Sequence, residues 1–478
     1  MNGPIYRGRH DRPEKPKGKK PGIIGKAILI NLYILGVIVV ARESPAYAYM
    51  GGLALIAYLM IVGFMKPQQA LFLLFGIKLS FDAFWFIEAP AIMTFRLTEL
   101  FLLPVLLVIS LGFGRLKAGS RHLLMLPLGF IIWVSLAMTL NDQNFDIPLI
   151  VRLAGSLIGL FIGMTFIHDR ENLHRLLLLV FISTVMPVLA SFSQVIGHYA
   201  GISFLFYSTD PTRELRLSGL YFDAATTGMV NIVSLISAGY LLLSGTLSRS
   251  GTYLMLGFMA LTFFGSIVGG TRSILITSTV LIALMTYLRF RKMLKFIPIF
   301  ALLLVIGKPY LDGVMLKSTQ EMKRSIELSQ VLTDAEYGQL FTGRVNLWQD
   351  VWRQFNDGSV FQMLFGSGIN TDAHSTYFYL LLFVGWLGLL YYLLYNFLLF
   401  RTVLRYKGDR MLKYASLFSL LSIFLVGFAA STVVYTSFQW IAYLIVGSVI
   451  SISAAEEKLA MRRQAEQLIQ QKQRPMRR

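Results

Sequence analysis

Three arginines, one histidine and one aspartate carry most of the chemistry that this sequence offers. Arg216 opens RLSGLYFDAATTG, Arg272 sits in GGTRS between two apolar runs, and Arg344 sits in TGRVNLW. His374 stands at the mouth of the run STYFYLLLFVGWLG. A guanidinium offers a planar fork of donors that meets a phosphate with two parallel hydrogen bonds. An imidazole can take a proton from an attacking hydroxyl near neutral pH. Asp223 closes the Arg216 stretch, where it can pair with an arginine or orient an acceptor. Trp348, Trp352, Tyr377 and Tyr379 offer aromatic faces on which sugar rings stack. These types at the edges of apolar runs point to chemistry on an anionic, lipid-linked substrate.

Each residue also has a plainer reading. Arg272 can anchor a headgroup or set topology, Arg216 can belong to a solvated loop beside Arg213 and Glu214, and Arg344 can pack a loop. His374 can be a satisfied loop histidine, and the Trp and Tyr residues can form the aromatic belt of a membrane interface.

The elements that position these residues are long apolar helices. The chain has 478 residues, 55% hydrophobic and 14% charged, against roughly 25% charged in an average soluble domain. Apolar runs of about 17 to 25 residues recur, each long enough to cross a hydrocarbon core of about 30 Å as a helix. They are too continuous for the strands of a β-barrel. The pattern predicts an all-α, polytopic transmembrane bundle of about fourteen spans. These fall near 23–41, 46–65, 69–83, 97–113, 123–140, 147–167, 173–196, 217–243, 252–270, 273–289, 294–307, 375–400, 411–430 and 433–453. The chain then divides into a basic arm (1–22), a transmembrane region (23–307), a loop with short helices (308–374), a C-terminal transmembrane region (375–453) and a basic tail (454–478). The arm reads as disordered, the tail as a short surface helix, and the first apolar run as a retained span rather than a cleaved signal.

Charge sets the orientation. The formal net charge is +19, and the cations cluster in both tails and in short loops such as RFRKMLK at 289–295 and RTVLRYKGDRMLK at 401–413. The loop NDQNFD at 141–146 holds none. By the positive-inside rule both termini are expected on the cytoplasmic side. Arg216, Arg272 and Arg344 then fall on the other side, where basic residues are least favoured, and that agreement argues for function over anchoring. Lys78, Asp82, Glu88, Arg96 and Glu99 flank the third and fourth spans and can line a polar pocket wall. With no cysteine, thiol and Cys-ligated metal chemistry are excluded. The six histidines are scattered without metal-binding spacing. Neither tail shows the basic and aromatic layout of a nucleic-acid reader.

The motifs resemble those of the O-antigen ligase and polymerase superfamily, closest in layout to an exopolysaccharide polymerase. Four stretches carry the likeness: RLSGLYFD at 216–223, the T-R-S of GGTRS, GRVNLW at 343–348, and LFGSGINTDAHSTYFYLLLFVGWLG at 364–388. The third and fourth occur together and in the family's order. The chain departs from the family at Asp223-Ala224-Ala225, where Asn-Pro-Asn is frequent, and at Ser375, where Asn is. The resemblance implies a bacterial inner-membrane enzyme that transfers glycans from a polyprenyl-diphosphate carrier at the periplasmic face, without cofactor. Arg216 and Arg272 would contact the diphosphate, Arg344 would assist from the periplasmic loop, and His374 would activate the acceptor. Its partners would be the lipid-linked glycan donor, a glycan acceptor, membrane lipid and other polysaccharide-assembly proteins such as a chain-length regulator. Polymerase, ligase, lipid-linked sugar flippase and non-catalytic scaffold all remain open at this point.

Overall fold

In the computed structural model, residues 22–41, 44–87, 97–112, 121–141, 147–200, 219–221, 224–268, 272–288, 344–369 and 373–473 are described, with single positions at 298, 301, 302, 305 and 308. Among them every regular element is helical, as lipid demands of an open chain: a helix satisfies its own backbone donors and acceptors. In order these are α1 (Gly22–Val40), α2 (Pro45–Met65), α3 (Pro67–Phe81), α4 (Leu97–Leu100), α5 (Leu102–Gly112), α6 (Arg121–Leu140), α7 (Ile147–Leu153), α8 (Gly155–Phe166) and α9 (Arg170–Ala200). There follow α10 (Ala224–Ser244), α11 (Arg249–Val268), α12 (Arg272–Leu288), α13 (Arg344–Asn356), α14 (Val360–Phe365), α15 (Thr376–Arg405), α16 (Arg410–Gly427) and α17 (Thr436–Gln473). Among the described residues nine helices are long and apolar enough to cross a membrane: α1, α2, α6, α9, α10, α11, α15, α16 and α17. Three shorter apolar stretches, Leu97–Gly112, Gly155–Phe166 and Ser273–Leu288, accompany them. The chain is therefore an all-α polytopic membrane bundle.

Burial sorts the helices into centre and rim. The apolar stretch of α10 is 94% buried and that of α17 83%, whereas that of α1 is 28% buried. The outer faces of α1 and α2 leave Leu29, Leu32, Ile61 and Phe64 exposed, which suits a surface turned to lipid. Inside, helices approach through small residues and hydroxyls, as they do where the surrounding solvent is itself apolar. Ser234 of α10 meets Thr262 of α11 at 3.3 Å, and Ser278 of α12 donates to Ser266 of α11 at 3.3 Å.

The closest approach joins α8 to α17. Glycines recur every fourth residue along α8, at Gly155, Gly159 and Gly163, so they share one face. A Cβ at Gly159 would overlap the Trp440 carbonyl oxygen, and one at Gly163 the Leu444 carbonyl oxygen. The reverse holds for Gly447 of α17, whose Cβ would overlap the Leu160 carbonyl oxygen. The two backbones are in direct contact from Gly159 to Gly163, while Gly155 meets the side chains of Gln439 and Trp440.

The bundle has two distinguishable ends. At one, Arg170 at the start of α9 bonds Glu456 at 2.7 Å and Asp409 at 3.2 Å, and His174 faces Tyr240 near the end of α10. This is the basic end, where α15 finishes and α16 begins. Helices α10 and α12 run parallel, since Gly228 meets Ile274 and Gly239 meets Met285. Arg272 therefore lies at the opposite end, together with the starts of α15 and α17. On α17, Ser437 at that end and Glu456 at the basic end are nineteen residues apart, or about 28 Å of helix. That length is close to the roughly 30 Å of a hydrocarbon core.

Several expected spans take another form. The one at 97–113 is broken at Phe101, and the one at 147–167 at Ala154. The third is the short α3, buried from Ala70 to Phe81, and a 3-10 turn at Asp82–Phe86 completes it. The tail is no separate surface helix. α17 runs unbroken to Gln473, because AAEEKLAMRRQAEQLIQQKQ consists almost wholly of strong helix formers. The arm at 1–21 and most of the span at 294–307 lie outside the described residues, as does 309–343 of the long loop. Two short helices, α13 and α14, occupy 344–365 of that loop.

Substituting Gly159→Ala forces α8 off α17 and should destabilise the bundle by about 1–3 kcal/mol. Gly257→Ala on α11, where nothing lies within 4 Å of the new methyl, should be neutral or stabilising. Thermal melting in detergent by intrinsic fluorescence compares the two, and equal melting temperatures would refute the backbone contact.

Candidate functional site

His374 is held in a backbone conformation that its side chain does not favour. Its φ is +46°, and among the described residues it alone of the non-glycines lies in this region. A non-glycine there is uncommon and persists only where its surroundings enforce it. The enforcement comes from both sides. Before it, the Ala373 carbonyl accepts from Trp348 Nε1 at 3.0 Å, and the Trp348 ring stacks on Phe378 at 5.4 Å. After it, Ser375 Oγ donates to the Gly427 carbonyl at 3.3 Å, and Thr376 Oγ1 donates to the Ala430 carbonyl at 3.0 Å. With its one proton so used, Thr376 Oγ1 accepts from Thr432 N at 2.8 Å and from Thr432 Oγ1 at 2.9 Å, which fills a hydroxyl's capacity. Ala373, Ser375 and Thr376 are buried, and the imidazole between them is exposed.

The helix that follows is interrupted on purpose. Gly385 has φ +71° and ψ −176° within α15. Such a break frees carbonyls that lipid would leave without partners. The Leu382 carbonyl accepts from Ser367 N at 2.9 Å, that of Phe383 from Gly368 N at 3.1 Å, and that of Val384 from Trp133 Nε1 at 3.1 Å. Gly366, with φ +92°, abuts the break so closely that a Cβ would overlap the Phe383 carbonyl oxygen. Asn141 of the α6 end ties in the Gly366 carbonyl at 2.8 Å. The FGSG and VGWLG segments of the long motif are thus one structural device, which docks the α14 turn into the kink of α15. Helix α13 lies against the same half of α15, with Val351 and Phe355 buried and Phe355 edge-on to Trp386.

A second polar layer adjoins it. Lys78, 4% exposed, pairs with Asp82, whose other oxygen accepts from Ser437 Oγ. The ammonium also lies 5.1 Å from the ring centroids of both Phe101 and Trp440, close enough for cation–π attraction. Tyr221, the Tyr of RLSGLYFD, donates to the Leu79 carbonyl at 2.7 Å. Gly219 of the same stretch exchanges two hydrogen bonds with the Gln194 side chain. Gln439 and Trp440 are buried in this layer, and among the described residues Gln439 Nε2 and Trp440 Nε1 have no partner. Two buried donors so left cost about 1–3 kcal/mol each, and they leave this layer able to receive a polar group. The i, i+4 spacing of Lys78 and Asp82 was visible in the sequence. Ser437 and Trp440, more than 350 residues further along the chain, were not.

The expected site residues fall out as follows. His374, Trp348 and Tyr377 are at the same end, on or beside the start of α15. Trp348 is committed to the His374 turn, and Tyr377 donates to the Phe424 carbonyl at 2.9 Å while its ring lies against Phe424 and Phe428. Arg272 and Arg344 are the first residues of α12 and α13, so both backbones start at that end; their side chains are outside the described set. Arg216 and Asp223, with Glu88 and Arg96, lie outside the described residues. Compared with known proteins, the chain matches no family model and no curated protein.

The ion pair gives a test of stability against function. Lys78→Met alone leaves a part-buried carboxylate without its cation and should cost up to about 3 kcal/mol, whereas Lys78→Met with Asp82→Leu should recover most of it. A double-mutant cycle on thermal melting measures this, and additive losses would show that the pair is not coupled.

Proposed function

We propose that this chain is a membrane glycosyltransferase that polymerises polyprenyl-diphosphate-linked oligosaccharide repeat units into an exopolysaccharide or O-antigen-like glycan. The reaction is an inverting transfer that uses no metal, at the periplasmic face of a bacterial inner membrane with both termini cytoplasmic. The acceptor hydroxyl attacks the anomeric carbon, the bond from that carbon to the diphosphate oxygen breaks, and the lipid diphosphate leaves with the electron pair. His374 takes the hydroxyl proton. Arg272, Arg216 and Arg344 stabilise the charge that grows on the leaving diphosphate, as fixed donors in a dry site do. Trp348, Tyr377 and Asp223 shape the sugar-binding side, and the resemblance set out above supplies these roles.

The observation that carries the reading is the presentation of His374. A strained backbone clamped by Trp348 on one side and by Gly427, Ala430 and Thr432 on the other leaves its imidazole exposed at the end of the bundle. Depth also weighs against a flippase. A transporter places its ionisable groups near the midplane, and the Lys78–Asp82 pair sits beside Ser437, about 28 Å along α17 from the basic end. Transfer to lipid A-core or to protein, the ligase reaction, differs only in acceptor and is the second reading.

Purified protein incubated with a lipid-diphosphate-linked repeat unit should give a ladder on a gel. His374→Gly should abolish the ladder while keeping stability or raising it by up to about 1 kcal/mol of relieved strain, read as an unchanged or higher melting temperature. Arg272→Ala should lower the rate by a factor on the order of 10² to 10³. Ladders of wild-type intensity from both variants would sink the assignment. Turnover only on adding lipid A-core would select the ligase, and none with either acceptor would return the flippase and scaffold readings.

A further inference from the structure

A cavity of about 580 Å³ opens at the basic end, where α15 turns into α16. Arg405, Lys407, Arg410 and Lys413 line it, with Tyr414 and Leu404. A basic turn at this end is expected for topology alone, but here neither of the neighbouring acids Asp409 and Glu456 is among the lining residues, and both are engaged elsewhere. Asp409 caps α16 by accepting from Met411 N at 2.7 Å and spends its other oxygen on Arg170. Glu456 accepts twice from Arg170, at 2.9 and 2.7 Å, and once from Tyr406 at 3.0 Å. Burial pushes the Tyr406 phenol above its ordinary range, so it remains a donor. The Asp409 amide donates back to the Tyr406 oxygen at 3.1 Å. Gly408 passes so close to Tyr406 and Glu456 that any Cβ would overlap both. The turn is thus fixed, with both carboxylates engaged by one arginine. Among the described residues no carboxylate pairs with Arg405, Lys407 or Arg410, and the Lys413 ammonium is tied to the Leu404 carbonyl.

An apolar track leads into this cavity. Leu390, Leu394, Phe397 and Leu404 are exposed at helical spacing along α15, with Arg401 between the last two. A soluble anion has no use for such a stripe, whereas an acyl chain does. We propose that the α15–α16 turn is a binding site for an anionic phospholipid, its phosphate among Arg405, Lys407 and Arg410 and one chain along the α15 stripe. Such a site is independent of the transfer reaction and would anchor the helix that presents His374.

Native mass spectrometry of the full chain in detergent, titrated with phosphatidylglycerol and separately with phosphatidylcholine, tests this. The wild type should retain phosphatidylglycerol in preference. The triple variant Arg405→Gln, Lys407→Gln, Arg410→Gln should bind it on the order of 10- to 100-fold more weakly, with phosphatidylcholine unchanged. A control triple, Lys458→Gln, Arg462→Gln, Arg463→Gln, removes the same charge from the same end and should keep wild-type affinity. Should the first triple prove polydisperse, the exposed single change Lys407→Glu replaces it, with a loss of about 10-fold expected. Undiminished phosphatidylglycerol binding in the cavity variant overturns the proposal. So does equal loss in the control, or full displacement of the lipid by millimolar inorganic pyrophosphate, which would make the cavity a site for soluble phosphate.

Discussion

The backbone contact between α8 and α17 is the constraint on which the rest of the molecule depends. Helices in lipid gain little from hiding apolar surface from one another, so close packing and hydrogen bonds must hold them. Gly159, Gly163 and Gly447 let two backbones meet, which fixes the axial position of α17 to within a fraction of a turn. That position matters because α17 carries a polar group to each end. Ser437 delivers a hydroxyl to Asp82 and so completes the Lys78 pair. Glu456 receives Arg170 and Tyr406. A slip of one residue along α17 moves both ends together by about 1.5 Å and breaks hydrogen bonds at each.

The interior then separates into two ends that carry ion pairs and a middle where hydroxyls such as those of Ser234, Thr262, Ser266 and Ser278 meet between apolar side chains, and the middle is not uniformly regular. The kink at Gly385 releases carbonyls at a depth where unpaired ones are costly, and the α14 turn supplies the missing donors. This exchange explains why one stretch of sequence holds two glycines on each side of His374. Gly366 and Gly368 belong to the turn, Gly385 and Gly388 to the kinked helix, and His374 sits on the connection between them. The same docking draws α13 over α15, and Trp348 of α13 then reaches the carbonyl before His374. The histidine's conformation is thus a downstream result of how the kink was satisfied.

At the opposite pole the logic is electrostatic. One arginine, Arg170, gathers Asp409 and Glu456, and so ties α9, α16 and α17. These partners are exposed enough that each pair contributes modestly to stability. Their greater effect is on the field: with Asp409 and Glu456 both gathered by Arg170, no carboxylate among the described residues pairs with Arg405, Lys407 or Arg410 of the α15–α16 turn.

The sequence alone determined the fold class, because apolar runs of spanning length leave the backbone no alternative to helix. It also pointed to the residues around His374, since a polar histidine at the mouth of such a run, flanked by paired glycines, departs from plain span chemistry. The Lys78–Asp82 pair was half legible, as an i, i+4 spacing on one helix face. What it lacked was Phe101, from the break between α4 and α5, and Ser437 and Trp440, brought in from α17 far along the chain. The breaks at Phe101 and Ala154 and the unbroken run of α17 into its tail were decided by packing and by local propensity together, which hydropathy does not report. Only the tertiary structure decided that the glycines of α8 face α17, that those of the FGSG turn meet Gly385, and that His374 pays for its exposure with a left-handed backbone. Periodicity specifies a face of a helix, whereas the identity of the partner across that face depends on contacts between residues hundreds of positions apart.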